Sequence, residues 1–167
     1  MTAITQEQPT ITAAPNPGEA WPAQGGIYIG IRVTPGGAPV HLVAAIGAHE
    51  IEDAEWGPYG QSIKGATSYH DGRANTQAMA EAGSELATRV LALDIDGHTD
   101  WHLPSQADAH LLAANAKHLM QPDIYWTSTQ YSANHAWYQY FTSGTQLITS
   151  KDCEFRAVPV RTIQIDL

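Results

Sequence analysis

Apolar residues alternate in Ile27-Tyr28-Ile29-Gly30-Ile31-Arg32-Val33, where Ile27, Ile29, Ile31 and Val33 fall on every second position. Period two predicts a strand with one buried face. Pro35-Gly36-Gly37 supplies turn chemistry, and Val40 to Ile46 returns as the second strand of a hairpin. Residues 47–72 carry Gly47, Gly57, Gly60, Gly65 and Gly72 and read as loop, with Trp56 and Tyr59 plugging a core. A helical period follows. Ala74 to Leu91 is rich in Ala, Glu, Gln and Met, with Met79, Leu86 and Val90 on one face, which predicts a first helix. Ser105-Gln106-Ala107-Asp108 follows Pro104 and has the form of a capping box, with Asp where Glu or Gln is usual. It predicts a second helix through Ala109 to Leu119, striped by Leu111, Leu112 and Leu119. Strands return in the last third. Ala136 to Thr142 and Thr145 to Thr149 flank a Ser143-Gly144 turn, and Phe155 to Ile165 closes the chain with Pro159 marking an edge or a bulge. Strands at both ends with helices between them indicate an α+β fold.

The chain has 167 residues, enough for one domain with a real core. Residues 1–24 stand apart from residues 25–167, with Pro9, Pro15, Pro17 and Pro22 and a single aromatic, Trp21. Alone, such a stretch is expected to be mobile or extended. It reads either as a flexible tail or as an arm that orders on a neighbouring subunit, with Trp21 as its anchor. Eight basic against 17 acidic side chains give a net charge of −9, which speaks against nucleic acid as a partner. No apolar run reaches the roughly 18 residues of a membrane span, so no membrane insertion is expected. Met1 to Gln8 has neither a basic start nor an apolar stretch, so the expectation is synthesis in the cytoplasm without a secretion signal.

No GxSxG, HExxH, GxGxxG or phosphate-loop motif is present, and no catalytic residue or cofactor is predicted. Cys153 is the single cysteine and reads as a bystander, since a nucleophile needs a neighbouring base. His98, His102, His110 and His118 raise a metal reading, but a zinc site needs three or four convergent ligands, and no metal is predicted. Asp94, Asp96 and Asp100 have the spacing of a small calcium loop without its closing Glu, while Asp96-Gly97 is equally a turn. Gln121-Pro122-Asp123 matches a tripeptide of calcium-dependent lectins, without a Trp-Asn-Asp partner, and also reads as a helix-ending turn. The aromatic cluster is more informative. Seven of the 14 Trp, Tyr and Phe residues lie at 125, 126, 131, 137, 138, 140 and 141, interleaved with Ser, Thr, Asn and Gln. Rigid rings beside short hydrogen-bonding side chains are the chemistry of recognition surfaces. Trp126 and Trp137 are assigned to the core, and Gln130, Tyr131, Asn134, Tyr138 and Tyr140 are the candidate ligand-binding residues.

Ordered segments then carry a resemblance. Asp100-Trp101-His102-Leu103-Pro104-Ser105, Leu111-Leu112, Tyr125-Trp126-Thr127-Ser128-Thr129, Ala136-Trp137 and Arg156-Ala157-Val158-Pro159-Val160-Arg161 occur in the order seen in the Lcl C-terminal-domain-like family. Gly25-Gly26-Ile27 and Asn75-Thr76 match as well, so that the resemblance covers residues 25 to 163. His102 stands where the family pattern has Arg, and Ala157 and Pro159 alter the closing strand. The resemblance implies a C-type-lectin-like fold, related to formylglycine-generating enzymes, with a twisted antiparallel sheet, two helices and long loops. The paired cysteines of those enzymes are missing, so their oxidase activity is not implied.

The resemblance further implies a phage-type member whose type domain is a trimeric, sugar-binding adhesin module. The expected function is a non-enzymatic binding module of a virion, receptor-binding, fibre-associated or capsid-decorating. It is expected to recognise a cell-surface glycan or receptor from a homo-oligomer, with a trimer as the example. A phage protein leaves the cell by lysis and needs no secretion signal. The alternative is a structural assembly protein that contacts other virion proteins through residues 1–24. A metal-dependent enzyme using His98 and His102 is a third, weaker reading.

Overall fold

The computed structural model describes residues 13–165. Nine strands and three α-helices are found among them, in the order β1 (Ala20–Trp21), β2 (Gly26–Val33), β3 (Pro39–Ala44), β4 (Ile51–Ala54), α1 (Gly72–Glu81), α2 (Glu85–Leu91), α3 (Gln106–Ala116), β5 (Ile124–Gln130), β6 (His135–Tyr140), β7 (Thr145–Ser150), β8 (Phe155–Ala157) and β9 (Val160–Gln164). The fold is mixed α+β. One sheet has the order β1-β2-β3-β9 and the other β4-β8-β5-β6-β7. All pairings are antiparallel except β5 with β8.

The closing segment joins the two sheets. Pro159 has no amide to give a ladder, and the expected strand from Phe155 to Ile165 divides there. Its first half pairs with β4 and β5, and its second half with β3 along Val40–Ala44. The chain thereby passes from one sheet to the other within two residues.

The expected first helix is two helices. Gly83 takes φ +99°, and the amides of Gly83 and Ser84 donate to the carbonyls of Ala80 and Met79, the paired pattern that ends a helix. Ser84 then caps α2 by accepting the Ala87 amide, while its hydroxyl donates to the Trp56 carbonyl at 2.7 Å. Met79, Leu86 and Val90 are buried on one side all the same. The second expected helix starts as read: Ser105 and Asp108 close a reciprocal capping box, and a single 3-10 turn, Lys117–Leu119, follows α3.

Two sequence expectations fail at β2 and at the arm. The register of β2 on β3 slips between Tyr28 and Gly30, where Gly30 adopts φ +138°. Past this bulge the alternation changes face, so Ile31 and Val33 are more than half exposed instead of buried. Residues 13–24 run onto the domain. Trp21 is 3% exposed in the chain's own core, edge-on to Tyr28 and His41, because β1 pairs with the start of β2. It is therefore not available as an anchor on a neighbour. The remainder of the expected arm, residues 1–12, lies outside the described residues.

The buried residues form two clusters. One gathers Trp21, Trp56, Met79, Leu86, Trp101, Leu103 and Trp126, and the other sets Ile29, Leu42, Tyr125 and Val158 against Leu112 and Ala116 of α3. Trp56 is fully buried, as expected for a core plug, whereas Tyr59 is exposed. Among the described residues no helix is long and apolar enough to cross a membrane.

Candidate functional site

The polar stretch Thr127-Ser128-Thr129-Gln130 is buried, contrary to its expected place on a recognition surface. A register shift between Trp126 and Gln130 carries β5 away from β6 and against the preceding loops. The Ser128 amide donates to the Pro104 carbonyl and the Gln130 amide to the Ala66 carbonyl, both at 2.7 Å. The side chains are satisfied internally, which is what permits their burial. Thr127 donates to Trp137 O, Thr129 to Ser68 O, and Ser128 Oγ accepts from Asn75. Gln130 Oε1 accepts from the Ile63 amide and from the Lys151 ammonium, each at 2.8 Å. Gln130 is thus a framework residue and not a ligand-binding one.

The chain surfaces at the β5–β6 turn. Tyr131 is 57% exposed, and its ring stands edge-on to Trp137 with centroids 5.7 Å apart. Trp137 is half-buried, not sealed in the core as expected, while Ala136 beside it is fully buried. The turn is tightly held. The amides of Tyr131 and Ser132 both donate to the His135 carbonyl, and Ser132 Oγ accepts the amides of Asn134 and His135. The Ala133 carbonyl accepts from Gly60, and the Asn134 carbonyl from Lys151. Among the described residues the Asn134 side chain has no hydrogen-bond partner.

The five candidates do not form one site. Tyr138 and Tyr140 project from the face of β6 opposite to Trp137. There Tyr138 lies 6.0 Å from Phe155, and its cross-strand partner is the exposed Leu147. Tyr131 and Asn134 remain together on the turn, joined by Trp137, Ser132 and His135. That group offers an aromatic surface with an amide, a hydroxyl and an imidazole beside it, able to stack on an apolar face and hydrogen-bond around it.

The other chemical signals are dispersed. Asp94 accepts the Gly97 amide within a turn, and Asp100 pairs with Arg161 at 2.7 Å. Burial would raise the Asp100 carboxyl, but the hydrogen bond and charge of Arg161 outweigh it and hold it below the usual carboxylate range. His98 Nε2 meets Ala23 O at 2.6 Å, His102 Nδ1 meets Leu103 O at 2.9 Å, and His110 stacks near Tyr69. Among the described residues no three His, Cys, Asp or Glu side chains are grouped to hold a metal ion. Asp123 lies beyond the 3-10 turn and directly precedes β5, accepting the Ile124 amide and pairing with Arg156. Cys153 is half-buried, 3.8 Å from Thr149 Oγ1.

No curated protein matches the chain. Residues 52–161, well over half of it, match the Lcl C-terminal domain, and these residues run from β4 through the three helices and the β5–β6 turn into β9. The chain belongs to the Lcl C-terminal domain family.

Proposed function

We propose that this protein is a non-enzymatic binding module that presents the β5–β6 turn to a host-surface glycan or receptor. The observation that carries the reading is the exposed Tyr131 ring braced edge-on by Trp137 on a turn fixed by six backbone amides. A ring already immobilised loses little conformational freedom on binding, and the free Asn134 amide adds directional contacts. The family supports adhesion or binding as the general role. The C-type-lectin-like fold, the phage virion setting and a homo-oligomeric form belong to the same proposal and rest on the resemblance. With Trp21 in the chain's own core, an assembly role through residues 1–24 loses the ring meant to anchor it.

The test is a glycan array together with a host-cell binding assay on the purified protein, with and without EDTA. Binding that survives EDTA and is lost in Tyr131→Ala supports the reading. No binding by the folded protein at high concentration, or binding indifferent to Tyr131→Ala, overturns it.

A further inference from the structure

Four strands border the two sheets, and three of them carry devices that discourage a further strand. β1 is two residues long. β4 carries Glu52 and Asp53, a register shift between Ile51 and Ala54, and a left-handed backbone at Asp53 with φ +49°. β9 exchanges hydrogen bonds with His102 at Val160 and holds Arg161 against Asp100. β7 has none of these. Its sequence, Thr145-Gln146-Leu147-Ile148-Thr149-Ser150, contains no charge and no proline in a chain of net charge −9. Its register on β6 runs unbroken from His135↔Ser150 to Tyr140↔Thr145.

The Lys151 amide donates to the Asn134 carbonyl at 2.9 Å, one step beyond the His135↔Ser150 pair. Hydrogen-bonded and non-bonded pairs alternate along an antiparallel ladder. Thr149, Leu147 and Thr145 therefore bond to β6, while Gln146, Ile148 and Ser150 turn their amides and carbonyls outward. Among the described residues only the Ser150 carbonyl finds a partner on that side, the Cys153 amide at 3.1 Å. The strand is held from within, since Gln146 Nε2 donates to the Gln106 carbonyl and to Gln139 Oε1. A preformed edge loses little freedom when another strand adds to it.

The edge is complementary to itself. About a two-fold axis at Ile148, each Ile148 amide meets the other copy's Ile148 carbonyl, and each Ser150 amide the other's Gln146 carbonyl. The side-chain faces agree as well. Ile148 stands beside Trp137, so this apolar row continues into Ile148 and Trp137 of the second copy. On the opposite face Leu147, 53% exposed, comes against Thr149 of the second copy. Asp152, the acid nearest in sequence, falls opposite Gly144 and away from its own counterpart, so like charges do not meet at the seam. We infer that β7 pairs with β7 of a second copy of this chain, antiparallel and two-fold, joining two sheets into one. The contact serves the homo-oligomer proposed above, yet it rests on the sheet edge and not on the recognition reading. A dimer that binds no glycan, or a monomer that does, decides the two separately.

The experiment is sedimentation of the full chain across micromolar concentrations, with hydrogen exchange of the β7 amides followed alongside. A reversible monomer–dimer equilibrium is expected, and protection of Gln146, Ile148 and Ser150 should rise as the dimer forms. Leu147→Lys, at an exposed position, should weaken the dimer at least about tenfold and leave the melting temperature nearly unchanged. In a Cys153→Ser background, Ile148→Cys should form a disulfide dimer on mild oxidation, because a hydrogen-bonded pair sets its Cα atoms about 5.5 Å apart. Leu147→Cys, about 8 Å from its counterpart, should not. A chain that stays monomeric overturns the interface, whether its β7 amides exchange freely or are shielded by another segment. So does a trimer, which a two-fold contact cannot build, or a dimer that Leu147→Lys leaves unchanged. Joining by Leu147→Cys alone overturns the axis at Ile148.

Discussion

The Lys151 ammonium lies 2.8 Å from Gln130 Oε1, fully buried, and its other contacts are the Gln61 carbonyl at 2.9 Å and the Trp56 ring face at 4.8 Å. Among the described residues no carboxylate takes part. One cation thereby ties the β7–β8 turn to the end of β5 and to the loop before α1, directly behind the turn that carries Tyr131 and Asn134. Its amide reinforces this by donating to the Asn134 carbonyl at 2.9 Å.

Removing that side chain takes one of two donors from Gln130 Oε1, frees the Gln61 carbonyl and leaves a void beside Trp56. Lys151→Ala should therefore cost about 3 kcal/mol, within the range for breaking buried charged contacts. Chemical denaturation of both proteins at one pH measures it. A cost below about 1 kcal/mol would show that water or a neighbour replaces the ammonium without loss.

Burial also pushes the Lys151 pKa down to about 8 from the ordinary 10.5. Between those values the unfolded chain binds the extra proton, so the Lys151 contribution to stability rises with pH across that window. Wild type should gain on Lys151→Met between about pH 8 and about pH 10, as read from paired denaturation midpoints. The window closes as the unfolded lysine loses its own proton near 10.5, and the phenols of Tyr28 and Tyr125, which burial raises in both proteins, cancel from the difference. A difference that is flat or falls with pH contradicts the buried cation.

His102 acts at the acid end. Burial, the largest influence on it, holds its pKa below the ordinary 6.5 despite the nearby Asp108 charge. The unfolded chain is then the better proton acceptor, and stability should fall as pH drops through 6.5 toward the folded value. His102→Gln should flatten thermal stability between about pH 7 and about pH 5 relative to wild type. An unchanged slope would mean that the imidazole charges in place.

Gly72 is required by close packing. A Cβ there would come within 2.5 Å of the Leu103 carbonyl and 2.9 Å of the Ser105 amide. Gly72→Ala should lower stability by about 2 kcal/mol through overpacking, whereas Gly36→Ala, with nothing within 4 Å, should be close to neutral. Melting temperatures of the two variants decide the matter.

Local signals in the sequence were legible and distant ones were not. Ser105 and Asp108 lie three residues apart, so their capping box can be read without the rest of the fold. Pro159 likewise announces a break, though not that the chain changes sheets there. Gly83-Ser84 carries both a helix stop and a helix start, but the apolar period of Met79, Leu86 and Val90 runs across them and masks the break. The bulge at Gly30 reverses the face of Ile31 and Val33, and a strict alternation gives no warning of it. Gln130 has the composition of a surface residue. Its burial depends on Ile63 and Lys151, respectively 67 and 21 residues away, contacts that no local pattern contains. For the candidate site, Tyr131 and Asn134 were identifiable from composition, whereas the bracing role of Trp137 required the register of β6.

The most direct measurement compares the wild type with Tyr131→Ala and Tyr140→Ala for affinity to intact host cells, with melting temperature recorded in parallel. Tyr131→Ala should reduce affinity at least about tenfold, the loss of a central aromatic contact, and leave the melting temperature nearly unchanged. Tyr140, on the other face of β6, should be dispensable. Equal affinity for wild type and Tyr131→Ala, or loss confined to Tyr140→Ala, would contradict recognition through the β5–β6 turn.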